Sequence, residues 1–264
     1  MSKKLLSCLS IFFILVVFLP VLAEGESVPF AGHWVLDKVY ENAFSANKYV
    51  LDPENAESVY GESENIYRLF PNGDAEWLMG DENLKGKWEL SDNNITTRVG
   101  WVDENGEVSE AEMALELDFV YDSEQNILHR YWKAIQTDSM YQELDFVYRR
   151  IPQGAWQMTS VYSNEPEGEP VLLDPESSQS LYAESVNVYK FDNWAVTETI
   201  PTEEYSQQGV LEKGEDNWLL KFDDGFEMEL FYDAGENLLH RYWKSDDAES
   251  AWHDLDFVYE PVTE

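Results

Sequence analysis

Residues 126–133 read Asn-Ile-Leu-His-Arg-Tyr-Trp-Lys, and residues 237–244 read Asn-Leu-Leu-His-Arg-Tyr-Trp-Lys. A chain of 264 residues with four histidines and ten tryptophans does not repeat such a word by chance. Working outward, LDPENAESVYGESENIYRLF from Leu51 returns as LDPESSQSLYAESVNVYKF from Leu173, and Gly32-His33-Trp34 with Val39-Tyr40 returns at the same spacing as Gly154-Ala155-Trp156 with Val161-Tyr162. The LDFVY word at Leu144 returns at Leu255, a shorter spacing that the His-Arg-Tyr-Trp-Lys word shares. Copy two has therefore lost residues in its middle, most simply from the connection holding Asp103-Glu104-Asn105-Gly106, where loops tolerate length change. The chain is a tandem duplication with units at 31–150 and 153–262, joined at Ile151-Pro152-Gln153, a short proline-containing joint suited to a domain boundary. Two copies are too few for a solenoid, so each unit is expected to fold around its own core.

Inside each unit the apolar residues alternate, and turn residues interrupt them every ten or so positions, the pattern of an all-β meander. Eight strands are expected in the first unit, near 33–40, 65–70, 74–79, 85–90, 95–101, 113–121, 127–134 and 140–149, and the same count in the second. Pro71-Asn72-Gly73-Asp74 is the clearest tight turn. Residues 41–64 carry no strand pattern. Asp52-Pro53-Glu54 and Asp174-Pro175-Glu176 each offer a capping acid and a proline suited to the first helical position, which predicts a short helix at each. A connection of this length acts either as a lid over one end of the fold or as a plug for apolar side chains.

The repeated word itself lies on a strand. A period of two places Leu128, Arg130 and Trp132 on one face and Ile127, His129, Tyr131 and Lys133 on the other; in copy two the first set is Leu239, Arg241 and Trp243. Such an arginine beside a tryptophan has two uses. It grips the carboxylate of a small ligand whose apolar body packs on the ring, or it pairs with one of the chain's own acids and braces the wall.

Against 53 acidic residues stand 17 basic ones, a formal charge of −36, which repels nucleic acid and anionic membrane surfaces. Lys3 and Lys4 precede an apolar run that closes on Val21-Leu22-Ala23, the order of a secretory signal cleaved after Ala23. Residues 1–23 are then a signal peptide, 24–30 a linker, and the mature protein is secreted or extracytoplasmic, with no stable membrane insertion. The other reading is an uncleaved anchor, since residues 5–23 nearly span a bilayer, although Ser7, Cys8, Ser10 and Pro20 weaken it. Cys8 is the only cysteine, so the mature chain has neither disulfides nor thiolate chemistry. His129 and His240 fall in different copies, and His33 and His253 have no counterparts, so no repeated metal site is expected. The acid-rich turns Asp122-Ser123-Glu124 and Asp233-Ala234-Gly235-Glu236 lack the spacing of a calcium loop and read as solvated turns. No nucleophile elbow, phosphate loop or zinc motif is present, so neither catalysis nor a cofactor is expected.

Gly32-His33-Trp34 and Gly154-Ala155-Trp156 opening each unit, Gly86-Lys87-Trp88 in mid-unit, the long first loop and an arginine after Tyr148 together resemble the lipocalin-like domains of exported bacterial proteins. The resemblance implies two tandem eight-stranded antiparallel up-and-down β-barrels. In each, the first-strand tryptophan (Trp34, Trp156) packs against an arginine of the last strand, which copy one supplies as Arg149 or Arg150. It also implies a small apolar or amphipathic ligand in a barrel, with Arg130, Trp132, Arg241 and Trp243 as binding residues. Copy two departs from the pattern, since Glu260 and Pro261 follow Tyr259 and Gly209-Val210-Leu211 has no tryptophan. A barrel of eight strands either fills with side chains or holds one small ligand. The rival expectation is a cell-surface module for glycan or protein with filled barrels, and the exposure of the tryptophans separates the two.

Overall fold

A computed structural model describes residues 28–92, 94–101, 115–135, 139–164, 169–245, 252 and 254–262. Residues 1–27, with Cys8, the connection around Asp103 and His253 lie outside the described residues. The first unit contains β1 (Gly32–Glu41), β2 (Tyr49–Val50), β3 (Ile66–Leu69), β4 (Asp74–Met79), β5 (Glu82–Ser91), β6 (Asn94–Gly100), β7 (Leu115–Asp122), β8 (Ile127–Lys133) and β9 (Glu143–Ile151). The second repeats the order with β10 (Gly154–Ser163), β11 (Val171–Leu172), β12 (Val188–Asp192), β13 (Ala195–Ile200), β14 (Tyr205–Lys213), β15 (Trp218–Phe222), β16 (Glu227–Asp233), β17 (Leu238–Lys244) and β18 (Asp254–Pro261). All pairings are antiparallel, and β1 with β9, like β10 with β18, closes each sheet into an eight-stranded barrel. The two-residue strands β2 and β11 pair only with the far ends of β1 and β10.

Alternation builds the wall as the sequence implies. Leu144, Phe146 and Tyr148 point into the first barrel, and Leu255, Phe257 and Tyr259 into the second. Both barrels close. Trp34 is fully buried, with its indole N–H donating to Phe30 O at 3.0 Å, and the guanidinium of Arg150 lies 4.7 Å from its ring centroid. Arg149 does not make that contact, because adjacent residues of a strand face opposite ways and Arg149 points outward. The glycine that opens each motif has a positive φ, +154° at Gly32 and +81° at Gly154, a backbone conformation that side chains rarely allow. The second barrel has no arginine at this place. Tyr232 stands edge-on to Trp156 at 5.7 Å, and the Trp156 indole donates to Gln153 O at 2.9 Å.

The loop after β1 contains turns and no helix at Asp52. Asp52 Oδ1 accepts from Glu54 N at 3.0 Å and its carbonyl from Ala56 N at 2.9 Å, one helical turn that is not extended. The chain is instead tied back by Tyr60, whose hydroxyl accepts from Val39 N at 3.0 Å and donates to Leu51 O at 2.9 Å. Tyr182 makes the same two bonds to Val161 N and Leu173 O. The only helical segment among the described residues is the short 3-10 turn Ala183–Val186.

The barrels share a seam. Val35, Ile66 and Ile151, on the outside of barrel one, belong to the apolar cluster of barrel two. A β-bulge at Asp37 turns its carboxylate outward, 3.4 Å from Arg149 Nε and 4.0 Å from Lys213 Nζ. Lys213 also donates to the carbonyls of Leu36 and Asp37, each at 3.0 Å. Arg149 stacks on Trp218 at 4.2 Å and donates to Gly214 O at 2.9 Å. Lys38 reaches Asp216 at 3.3 Å, and Asn193 Oδ1 sits 3.0 Å from Arg68 Nη2 and 3.3 Å from His33 Nδ1.

Candidate functional site

Arg130 lies inside barrel one, as its strand face requires, with its guanidinium 4.4 Å from the Phe146 ring centroid. Its partner is Glu62, a residue of the chain's own first loop, at 2.8 Å. Glu62 also accepts from the hydroxyls of Tyr67 at 3.0 Å and Tyr148 at 3.4 Å. Burial pushes both phenols well above their ordinary value, so they remain protonated donors to the carboxylate. Barrel two repeats the node: Arg241 lies 4.3 Å from Phe257 and 2.8 Å from Glu184, which holds the repeat position of Glu62. Among the described residues its buried Tyr259 hydroxyl has no partner, and neither Arg130 Nε nor Arg241 Nε has one. The long loops therefore supply a carboxylate to the arginine of each barrel, and sequence periodicity cannot see that pairing.

Around the first node the interior is packed with rings. Tyr67 contacts Trp77, Phe119 and Tyr148 at centroid distances of 5.1, 5.3 and 5.2 Å. Trp132 and Trp243, on the same strand face as the arginines, stand at the barrel ends and are each 43% exposed. On the outer wall His129 Nδ1 lies 2.9 Å from Asp145, and His240 Nδ1 lies 3.0 Å from Asp256. Each imidazole stacks on the next outward tyrosine, Tyr131 or Tyr242, at 5.7 and 5.9 Å. The hydrogen bond to Asp256 raises the His240 pKa above its ordinary value. No cluster of three metal-binding side chains occurs among the described residues.

Two concave surfaces lie between the barrels. One cleft of about 740 Å³ has apolar walls of Ile66 and Leu78 from barrel one and Trp194 and Leu211 from barrel two, with Glu64 and Lys213 at its edges. Burial lowers the Lys213 pKa, and its ammonium is committed to the Leu36 and Asp37 carbonyls. The second cleft, about 620 Å³, is polar. It forms where the β7–β8 turn of barrel one faces the β16–β17 turn of barrel two. Nothing in the sequence pattern of a single unit predicts either cleft, because each needs both units in contact.

Fold and site together define a tandem double barrel consistent with the lipocalin-like architecture, with an arginine–carboxylate pair inside each barrel and two clefts at the seam. No model of a known protein family matches the chain, and no curated protein is similar to it, so the likeness to lipocalins rests on architecture and on the short motifs above.

Proposed function

We propose that the protein is an exported, non-catalytic binding protein whose barrels serve as scaffold and whose apolar cleft at the seam takes one small amphipathic molecule. The observation that carries this reading is the cleft's shape and lining. Its volume is that of a small-molecule site, it lies at a domain interface, and an indole and three aliphatic side chains form its walls. The occupied barrel nodes favour the same conclusion, since the two arginines already hold carboxylates. Export is argued from the leader-like sequence of residues 1–23.

A second reading is favoured by the nodes themselves. If a first loop swings away, Arg130 or Arg241 exchanges its internal carboxylate for that of a ligand, with Trp132 or Trp243 at the entrance. Tryptophan fluorescence titrated with dodecanoate and with dodecylamine, beside native mass spectrometry of protein from its own host, decides between the two. A saturable response lost in Trp194→Phe and kept in Arg130→Ala supports the seam. The opposite pattern supports the barrel. No response and no co-purifying mass would end both.

A further inference from the structure

The turns of both repeats line the polar cleft, but only barrel two also brings its outer-wall histidine and tyrosine onto it. The polar cleft is lined from barrel two by Phe231, Asp233, Glu236, His240 and Tyr242. Tyr242 is 52% exposed and stands 5.2 Å from Phe231 at an interplanar angle of 57°, so the pair forms an angled aromatic platform at the wall. His240 spends Nδ1 on Asp256, which leaves Nε2 as its remaining polar atom beside that platform.

The turn acids differ between copies in a way that matters. Asp122 uses Oδ1 on the amides of Glu124 and Gln125 and Oδ2 on the Gln125 side chain at 3.0 Å. In copy two the residue at the Gln125 position is Glu236. Among the described residues Asp233 then bonds only through Oδ1, to the amides of Gly235 at 2.8 Å and Glu236 at 3.0 Å. Substituting an acid for an amide thus leaves Asp233 Oδ2 and the Glu236 carboxylate as open acceptors on the cleft.

The basic groups of the cleft are already committed. Arg149 is held by Asp37, Gly214 O and the Trp218 ring, and Arg150 by Pro29 O and the Trp34 ring. What remains available is an exposed ring platform, open carboxylate acceptors and an imidazole nitrogen. That combination suits a ligand with many hydroxyl donors and a flat C–H face. It disfavours an anion, because the free groups are acids on a strongly acidic chain.

We infer that the polar cleft is a saccharide site selective for neutral or amino sugars, with Tyr242 as the stacking ring and Asp233 and Glu236 as hydroxyl acceptors. It is separate from the apolar cleft and does not rest on the function proposed for it.

The repeat supplies an internal control. Tyr131 is the counterpart of Tyr242 and equally stacked on its histidine, but it does not line the cleft. The test is calorimetric titration of the full chain with cellotriose, maltotriose, chitotriose and trigalacturonate, for wild type, Tyr242→Ala, Tyr131→Ala and Glu236→Gln. The expected result is binding of at least one of the three uncharged sugars, weakened about tenfold by Tyr242→Ala, the scale of one lost aromatic contact. Glu236→Gln should also weaken it, and Tyr131→Ala should leave it unchanged. The far-ultraviolet circular dichroism of both tyrosine variants should match wild type, since both rings are exposed. Preference for trigalacturonate, equal losses in the two tyrosine variants, or no binding to any of the four sugars would overturn the proposal.

Discussion

Replacing Glu62 with glutamine keeps the shape of the first-barrel node and removes its charge. The Arg130 side chain is only 15% exposed, and its Nε has no partner among the described residues, so after the substitution a largely buried cation faces two phenols and a neutral amide. Breaking a fully buried pair by removing one partner costs about 3–5 kcal/mol. The Glu62 side chain is 30% exposed, so water compensates part of that, and the amide keeps some hydrogen bonding. We therefore predict a loss of about 1–3 kcal/mol, which for a unit of this size lowers its melting temperature by roughly 5–20 °C. Urea unfolding monitored by tryptophan fluorescence measures the loss. The double-mutant cycle of Glu62→Gln with Arg130→Met isolates the pair, with an expected coupling of about 1–2 kcal/mol. The equivalent Glu184→Gln should cost less, because Glu184 is more exposed and receives no bond from Tyr259. Coupling near zero, or a larger loss from Glu184→Gln, would refute the reasoning. If Glu62→Gln also creates dodecanoate binding that wild type lacks, the exchange reading of the barrels gains its first direct support.

Acid should loosen the seam through His33. Burial, then the Arg68 guanidinium beside it, lower its pKa to about 4, so between about pH 6.5 and 4 the unfolded chain binds the proton that the folded chain refuses. Stability from this residue is complete above the unfolded value and falls as pH drops toward 4, by about 3 kcal/mol at most. The difference in unfolding free energy between wild type and His33→Ala, the residue copy two carries, should change between pH 7 and 4.5, and a constant difference would contradict the assignment. His240 acts with the opposite sign: its raised pKa stabilises below the unfolded value and the effect is lost as pH rises through the folded one. His240→Gln should accordingly cost more at pH 5.5 than at pH 8.5 in urea titrations. Asp37→Asn leaves Arg149 and Lys213 partly buried without their anion, and should loosen the two barrels by about 1–3 kcal/mol, read as a larger radius of gyration in small-angle scattering.

The barrels were legible because a strand's period of two is local information. Leu144-Asp145-Phe146-Val147-Tyr148 announces its buried face without reference to any other residue, and its recurrence at Leu255 announces a second barrel. The inward face of Arg130 was legible for the same reason. Its partner was not, since Glu62 lies in a loop without periodicity and 53 acids offered themselves equally. The helix expected at Asp52 failed on a related point. Capping acid and proline describe how a helix starts, whereas the Tyr60 hydroxyl, bound to Val39 and Leu51 across the loop, decides that the chain turns away after one turn. Both clefts escaped because they depend on how one unit sits on the other, which neither copy encodes alone. The choice of Arg150 over Arg149 at Trp34 follows from alternation once Tyr148 is known to point inward.

The seam joins unlike faces: the outside of barrel one around Val35, Asp37 and Arg149 meets the side of barrel two that carries Trp194, Lys213 and Trp218. A contact between different faces of equivalent units has no symmetry axis to end it, and identical repeats would go on adding units into a fibre. Here the corresponding face of barrel two presents Gln157, Thr159 at its own bulge, and exposed Glu260. An amide replaces the buried aliphatic, a hydroxyl replaces the anion, and a carboxylate stands where the first joint has its cation. The divergence between the copies thus makes the joint directional: the face that barrel one offers to its neighbour is not offered again by barrel two.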